Sequence, residues 1–237
     1  MTPAGTRDGV PPAPWPFGPR WSRHVGRALA HGFWATEVSG TEHIPATGPV
    51  LYAANHANVI DGPLLVGASP RPVHVLVKSE MFVGPVGLVL RAAGQIPVDR
   101  DSSRLALQQG LAVLRRGGAV GVFPEGARGR GDVASSRAGV AWLALTGHAP
   151  VVPVALIGTR RTGEGINHLP GLRRPLVVQF GAPLTFDRGP GTSGRAALEQ
   201  ANEAIRVALA ALVLAATARS GLVPPADDPS VLGAGSE

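Results

Sequence analysis

The residues best suited to chemistry lie in one short stretch, Asn55-His56-Ala57-Asn58-Val59-Ile60-Asp61-Gly62-Pro63. It follows directly on the apolar run Val50–Ala54, and α/β proteins form ligand sites at strand ends. Asp61 ahead of Gly62 and Pro63 suits a helix start, and the turn lets its carboxylate fold back toward the imidazole of His56. A carboxylate on one ring nitrogen fixes the tautomer and raises the basicity of the other, which can then take a proton from a hydroxyl. Alone, the same spacing also describes a helix cap beside a surface histidine.

Three further stretches end in groups that bind anions or shape a pocket. Gly94-Gln95-Ile96-Pro97-Val98-Asp99-Arg100 reads as a short strand delivering Arg100 at its end, where a guanidinium can clamp a phosphate through two parallel bonds or pair with Asp99 or Asp101. Val122-Phe123-Pro124-Glu125-Gly126-Ala127-Arg128 places a carboxylate, a flexible glycine and a second arginine at another strand end; a polar loop would look the same. Val152-Pro153-Val154 puts a proline in an apolar run, which fits a strand start or a bulge. There is no G-x-x-x-x-G-K-[ST] loop, no G-x-S-x-G elbow and no G-x-G-x-x-G after the first strand, which speaks against a nucleotide triphosphatase, a serine hydrolase and a dinucleotide enzyme.

The elements that must hold these residues alternate. Val50–Ala54, Val73–Val77, Gln95–Val98, Ala119–Phe123, Val151–Ile157 and Leu176–Phe180 read as buried strands. Ser103–Arg116, Ala138–Thr146 and Arg195–Ala218 read as helices, the first stopped by Gly117. This alternation predicts a single α/β domain, a mostly parallel β-sheet with helices on both faces. Residues 1–19 and 221–237 read as tails, leaving a domain over 20–220. Within it, 20–36 is a basic amphipathic helix: Trp21, Val25, Ala28, Leu29 and Phe33 share one spacing, and Arg20, Arg23, His24 and Arg27 fill the rest. A helix of this kind, with Trp at its edges, either lies in a lipid interface or packs on the sheet.

Composition narrows the partners. The chain of 237 residues has 44% hydrophobic and 16% charged residues, enough apolar material for a core. It has no cysteine, which removes thiolate metal sites, disulfides and cysteine nucleophiles. The formal charge of +6 favours anionic partners, while aromatics at 5% are sparse for stacking on bases. All of the basic residues are arginines except Lys78. No run of 18 apolar residues occurs, and the Pro-rich start lacks the pattern of a secretory signal.

Taken in order, the His/Asp pair, Gly-x-Ile-x-Val-Asp-Arg, Phe-Pro-Glu-Gly-x-Arg and Val-Pro-Val resemble the four motifs of the glycerolipid acyltransferases, whose best-known members are 1-acylglycerol-3-phosphate acyltransferases. The resemblance runs from about His43 to Gly181. It implies His56 as general base and Asp61 as its orienting carboxylate. Arg100, Glu125, Gly126 and Arg128 would form the acceptor pocket, the arginines on the phosphate and Glu125 on glycerol hydroxyls. Lys78 would add a phosphate contact, and the block around Pro153 is associated with the acyl donor. The segment Arg137-Ala138-Gly139-Val140 is similar to the one that follows the third motif. In that motif this chain has Gly126-Ala127-Arg128-Gly129 where the family usually has Gly-Thr-Arg-Ser, so two hydroxyls that could touch the acceptor are absent.

The expectation is acyl transfer from acyl-CoA or acyl carrier protein, as co-substrate, to the hydroxyl of a lysophospholipid, with 1-acylglycerol-3-phosphate giving phosphatidic acid. No cofactor, metal or nucleic acid enters it. The expected place is peripheral, on the cytoplasmic side of the cell membrane. Ile60, Phe82, Val86, Leu88 and Leu90 could line an acyl groove or simply pack in the core. The alternatives are acylation of another lyso-lipid, such as an ornithine lipid or glycolipid, a non-catalytic lipid- or nucleic-acid-binding module, and a His/Asp metallohydrolase.

Overall fold

The computed structural model describes residues 14–99, 103–126, 128, 130–133, 138–189 and 191–227. Seven strands, β1 (Ala35–Ser39), β2 (Val50–Ala54), β3 (Val73–Lys78), β4 (Ile96–Val98), β5 (Ala119–Val122), β6 (Val151–Ile157) and β7 (Pro175–Phe180), make one sheet. Their order is β1-β7-β6-β2-β5-β3-β4. The five strands from β6 to β4 are mutually parallel. β7 runs antiparallel to β6, and β1 lies parallel to β7 at the edge.

The side-chain alternation of each strand sorts the core into two layers. Val50, Tyr52 and Ala54 pack with Leu64 and Leu65 of α2 (Asp61–Ala68) on one face. Leu51 and Ala53 pack on the other with Leu114 of α4 (Ser103–Arg115), Val140 and Leu143 of α5 (Gly139–Gly147) and Ile205 of α6 (Gly194–Ser220). Both faces of β2 are therefore covered, which is why its sequence is apolar throughout. Helix α1 (Gly18–Ala28) lies against α2 at a point where Gly26 meets Gly67. A Cβ on Gly67 would stand 2.3 Å from the Gly26 carbonyl oxygen, so only glycine permits this approach.

Several boundaries differ from the sequence reading. α1 begins at Gly18 and closes with a π-turn, Leu29–Phe33, so the expected helix over 20–36 ends before β1. Leu29 is half-buried against the core, and Trp34 is buried with its indole N–H donating to the Pro170 carbonyl at 3.0 Å. Trp34 therefore belongs to the interior and not to a lipid-facing edge. The stretch Met81–Ala93 contains a helix, α3 (Gly84–Ala92), in spite of its glycines and proline; Pro85 occupies the first turn, where its missing N–H costs nothing. Pro153 sits inside β6 and not at its start. It lies between the Val154–Phe180 pair and the Val151–Leu184 bridge, where the neighbouring chain departs and no donor is needed.

Helix α6 is long and apolar enough to cross a membrane by length and composition. In this fold its stripe Ala197, Ala201, Ile205, Leu209, Val213 and Ala216 is buried against the sheet, while Val207 and Leu214 on its other side are exposed. After it, residues 221–227 fold back onto the loop that follows β6, where Asp227 pairs with Arg160 at 3.1 Å. At the opposite rim, where the strands begin, the guanidinium of Arg71 donates to the carbonyls of Pro45, Gly48 and Gly117, joining the approaches to β2, β3 and β5.

Candidate active site

Because five strands run the same way, their carboxyl ends share one rim, and the proposed chemical groups emerge there. The turn after β2 is fixed first by Asn55, which is buried. Its Oδ1 accepts from the Leu156 N–H at 2.7 Å, and its Nδ2 donates to the carbonyls of Leu156 and Gly131 at 3.0 and 3.3 Å. These bonds lock the end of β2 to β6 just as their ladder stops. Asn58 tightens the turn, its Oδ1 accepting from the Ile60 N–H at 3.1 Å.

Asp61 is fully buried at the first residue of α2. Its carboxylate does not cap that helix. Oδ2 instead reaches back to accept the N–H groups of Ala57 and Asn58 at 2.7 and 2.8 Å and meets Nδ1 of His56 at 2.9 Å. An ionised carboxylate can only accept, so the proton of the neutral ring lies on Nδ1 and the lone pair on Nε2. The imidazole is held flat against Phe123, with ring centroids 4.1 Å apart and planes 18° from parallel. Its orientation is thus fixed by one hydrogen bond and one stacking contact.

Glu125 sits beside this pair. Its Oε1 accepts the backbone N–H of His56 at 2.9 Å, joining the turn after β5 to the turn after β2. Burial pushes its carboxyl up to about 7; the His56 N–H opposes this, and the nearby Asp132 and Asp61 carboxylates add to it. Within the chain Glu125 contacts the histidine's own backbone.

A cavity of about 420 Å³ opens beside His56. Its wall is largely apolar, with Met81, Val86 and Leu90 on one side and Leu107 and Val140 on another. Lys78 at the end of β3, Gly126 and Arg128 line the same cavity. Gly126 has φ +70°, the left-handed backbone that favours glycine. Arg128 Nη1 donates to Asn167 Oδ1 at 2.5 Å. The cavity therefore joins a basic nitrogen, two cations and an apolar groove.

Residues 35–157 match the family described as Acyltransferase. The chain belongs to the acyltransferase family. It is 33% identical over 125 residues to the 1-acyl-sn-glycerol-3-phosphate acyltransferase of Bacillus subtilis, covering 52% of this chain and 62% of the relative. It is 29% identical over 124 residues to the human 1-acyl-sn-glycerol-3-phosphate acyltransferase beta, covering 50% of this chain and 45% of the relative. The chain thus spans about half the length of such curated relatives. A crystal structure of the 1-acyl-sn-glycerophosphate acyltransferase PlsC from Thermotoga maritima superposes with a TM-score of 0.62 at 20% identity, covering 82% of this chain and 79% of that one. It shows the same fold, a mixed α/β single sheet.

Of the residues singled out in this chain, His56, Asp61, Lys78, Glu125, Gly126 and Arg128 come together at one rim. Arg100 lies outside the described residues, as do Asp101, Ala127, Gly129 and Arg137. Of the apolar candidates, Val86 and Leu90 line the cavity. Ile60 and Phe82 are buried in the core, and Leu88 is 68% exposed on the outer side of α3. Asn55, Asn58 and Asn167 had no role in the sequence reading. A polar residue closing an otherwise apolar strand, as Asn55 does, is the one local signal among them. Among the described residues no three His, Asp or Glu side chains are grouped to hold a metal ion.

Proposed function

We propose that this acyltransferase moves a fatty acyl group from a thioester, acyl-CoA or acyl carrier protein, to the free hydroxyl of 1-acylglycerol-3-phosphate, giving phosphatidic acid. The observation that carries the reading is the His56 imidazole, held by Asp61 through Nδ1 and by Phe123, at a largely apolar cavity that Lys78 and Arg128 also line. Nε2 removes the hydroxyl proton as the oxygen attacks the thioester carbonyl. The imidazolium formed is stabilised by the buried Asp61 carboxylate. Collapse of the tetrahedral intermediate breaks the carbon–sulfur bond, and the proton on Nε2 passes to the departing sulfur. An ester and a free thiol result, with His56 returned to its starting form. Lys78 and Arg128 suit the acceptor's phosphate, and orienting the hydroxyl turns a bimolecular encounter into a positioned one.

The same reading puts the protein at the cytoplasmic surface of a membrane. Trp21 and Val25 on α1 are exposed, as are Val83, Leu88 and Val89 around α3. The Trp21 indole N–H donates to the Ala92 carbonyl at 3.1 Å, tying α1 to the end of α3. Arg20 and Arg27 are exposed near them, and aromatic, aliphatic and cationic groups together match an anionic lipid interface. Release of free thiol from acyl-CoA in the presence of 1-acylglycerol-3-phosphate tests the reaction. The wild type should turn over and His56→Ala should lose at least about 10³-fold. Equal turnover by the two proteins would overturn it, and activity confined to acceptors without phosphate would move the acceptor to another lyso-lipid.

A further inference from the structure

The loop between β6 and β7 begins where the family match stops, at residue 157, yet it returns to the site at several points. The Val59 N–H donates to the Ile166 carbonyl at 2.9 Å, and Asn58 Nδ2 donates to the His168 carbonyl at 3.0 Å. Both bonds end on the turn that carries His56 and Asp61. Between them Asn167 Oδ1 takes a hydrogen bond from Arg128. Three consecutive residues of this loop thus grip the catalytic turn and one cation of the cavity.

The far part of the loop is fastened in a way that a surface connection does not need. The Arg160 side chain is fully buried. Its Nη1 reaches both carboxylate oxygens of Asp227, at 3.2 and 3.1 Å, and the Glu164 carbonyl at 3.0 Å, while its Nη2 reaches the Asp227 carbonyl at 2.9 Å. Glu164 in turn receives both terminal nitrogens of Arg174, at 2.7 and 2.8 Å. A buried guanidinium is costly unless it is paired, and Asp227 with the Glu164 carbonyl meets both of its terminal nitrogens, which fixes the loop's shape. The indole of Trp34 secures the other end at Pro170.

We propose that Thr159–Pro170 is a brace for the acceptor side of the site. Asn167 is a positioning residue that sets the guanidinium of Arg128, and the Arg160–Asp227 pair latches the brace. This rests on the reading of Arg128 as a phosphate ligand. Arg128 is half-buried, and a long side chain without a fixed partner samples many rotamers. One fixed acceptor, Asn167 Oδ1, occupies Nη1 and leaves the remaining N–H groups to the cavity. A neutral amide does this without cancelling the charge, which a carboxylate at the same place would do.

The test is steady-state kinetics on the full chain with acyl-CoA and 1-acylglycerol-3-phosphate, alongside thermal melting. Asn167→Ala should raise the acceptor KM about tenfold, the size of one charge-assisted hydrogen bond. Its kcat, donor KM and Tm should stay close to wild type, because Asn167 is exposed and outside the core. In an Arg128→Ala background the same change should add nothing, since Asn167 acts through that arginine. Asp227→Ala should raise the acceptor KM likewise and lower Tm, with Asp227→Glu recovering part of both, while Glu203→Ala on the exposed face of α6 changes neither. An unmoved acceptor KM in Asn167→Ala, or an equal rise in both backgrounds, overturns the role of Asn167. A lower Tm in Asp227→Ala with the acceptor KM unmoved overturns the latch. If Arg128→Ala itself leaves the acceptor KM unchanged, the phosphate reading fails and the brace with it, an outcome distinct from failure of the brace alone.

Discussion

Glu125→Gln should make the protein more stable at neutral and alkaline pH and should leave acid stability unchanged. The Glu125 carboxyl is pushed from its ordinary 4.5 up to about 7, chiefly by burial. The folded state therefore binds its proton more tightly than the unfolded chain does. Below pH 4.5 both states are protonated and nothing is lost. As pH rises through the window from 4.5 to about 7, the unfolded chain ionises first and folding becomes less favourable. At about 1.4 kcal/mol for each tenfold change in proton affinity, the full cost above pH 7 is about 3 kcal/mol. Glutamine removes this cost while its amide oxygen still accepts the His56 N–H. Urea denaturation of wild type and variant at pH 4, 6 and 8 should give a difference that is near zero, then partial, then about 3 kcal/mol in favour of the variant. A constant difference at all three values, or none at pH 8, would refute the argument that an ionising carboxylate is buried beside the His56–Asp61 turn.

Asp61→Asn should lower kcat by about 10³- to 10⁴-fold with little change in acceptor KM, because an amide can present its N–H to Nδ1 and leave the proton on the nitrogen that must be free; pre-steady-state and steady-state thiol release would measure it. Burial holds His74 down at about 4, with Arg116 adding to this and its bond to the Gly94 carbonyl opposing it. The unfolded chain takes up that proton first as pH falls from 6.5 toward 4, so wild-type stability should drop by up to about 3 kcal/mol more than that of His74→Gln over that range; calorimetric scans at pH 7 and 4.5 would check the sign. Gly67→Ala forces a methyl to within 2.3 Å of the Gly26 oxygen, so α1 and α2 must separate, and a loss of several kcal/mol should follow, read by chemical denaturation.

What could be read from sequence follows the range over which each feature is encoded. β2, β5 and β6, at the centre of the sheet, are apolar and buried along their whole length, and a run of that kind is visible within five residues. β1 is not, because Ala35–Ser39 at the sheet edge is half-exposed and mixes Thr, Glu and Ser into the strand. α3 has no clean helical signal of its own, because Gly84, Pro85 and Gly87 interrupt it; Pro85 is harmless in a first turn and Gly87 is required by the Phe82 backbone 2.3 Å from where its Cβ would lie. The His56–Asp61 pair was legible because one turn closes it. The bond from the His56 N–H to Glu125 was not, since the two lie 69 residues apart and nothing in either neighbourhood announces it. Arg128 with Asn167 and Arg160 with Asp227, 39 and 67 residues apart, are tertiary facts of the same kind.

Arg71 gathers three carbonyls at the rim where strands enter the sheet, and the groups proposed to react occupy the rim where they leave. Cohesion and reactivity are therefore housed at opposite poles of the molecule. Harmful substitutions should sort accordingly: those at the entry pole give chains that are scarce but competent, and those at the exit pole give chains that are abundant but inert.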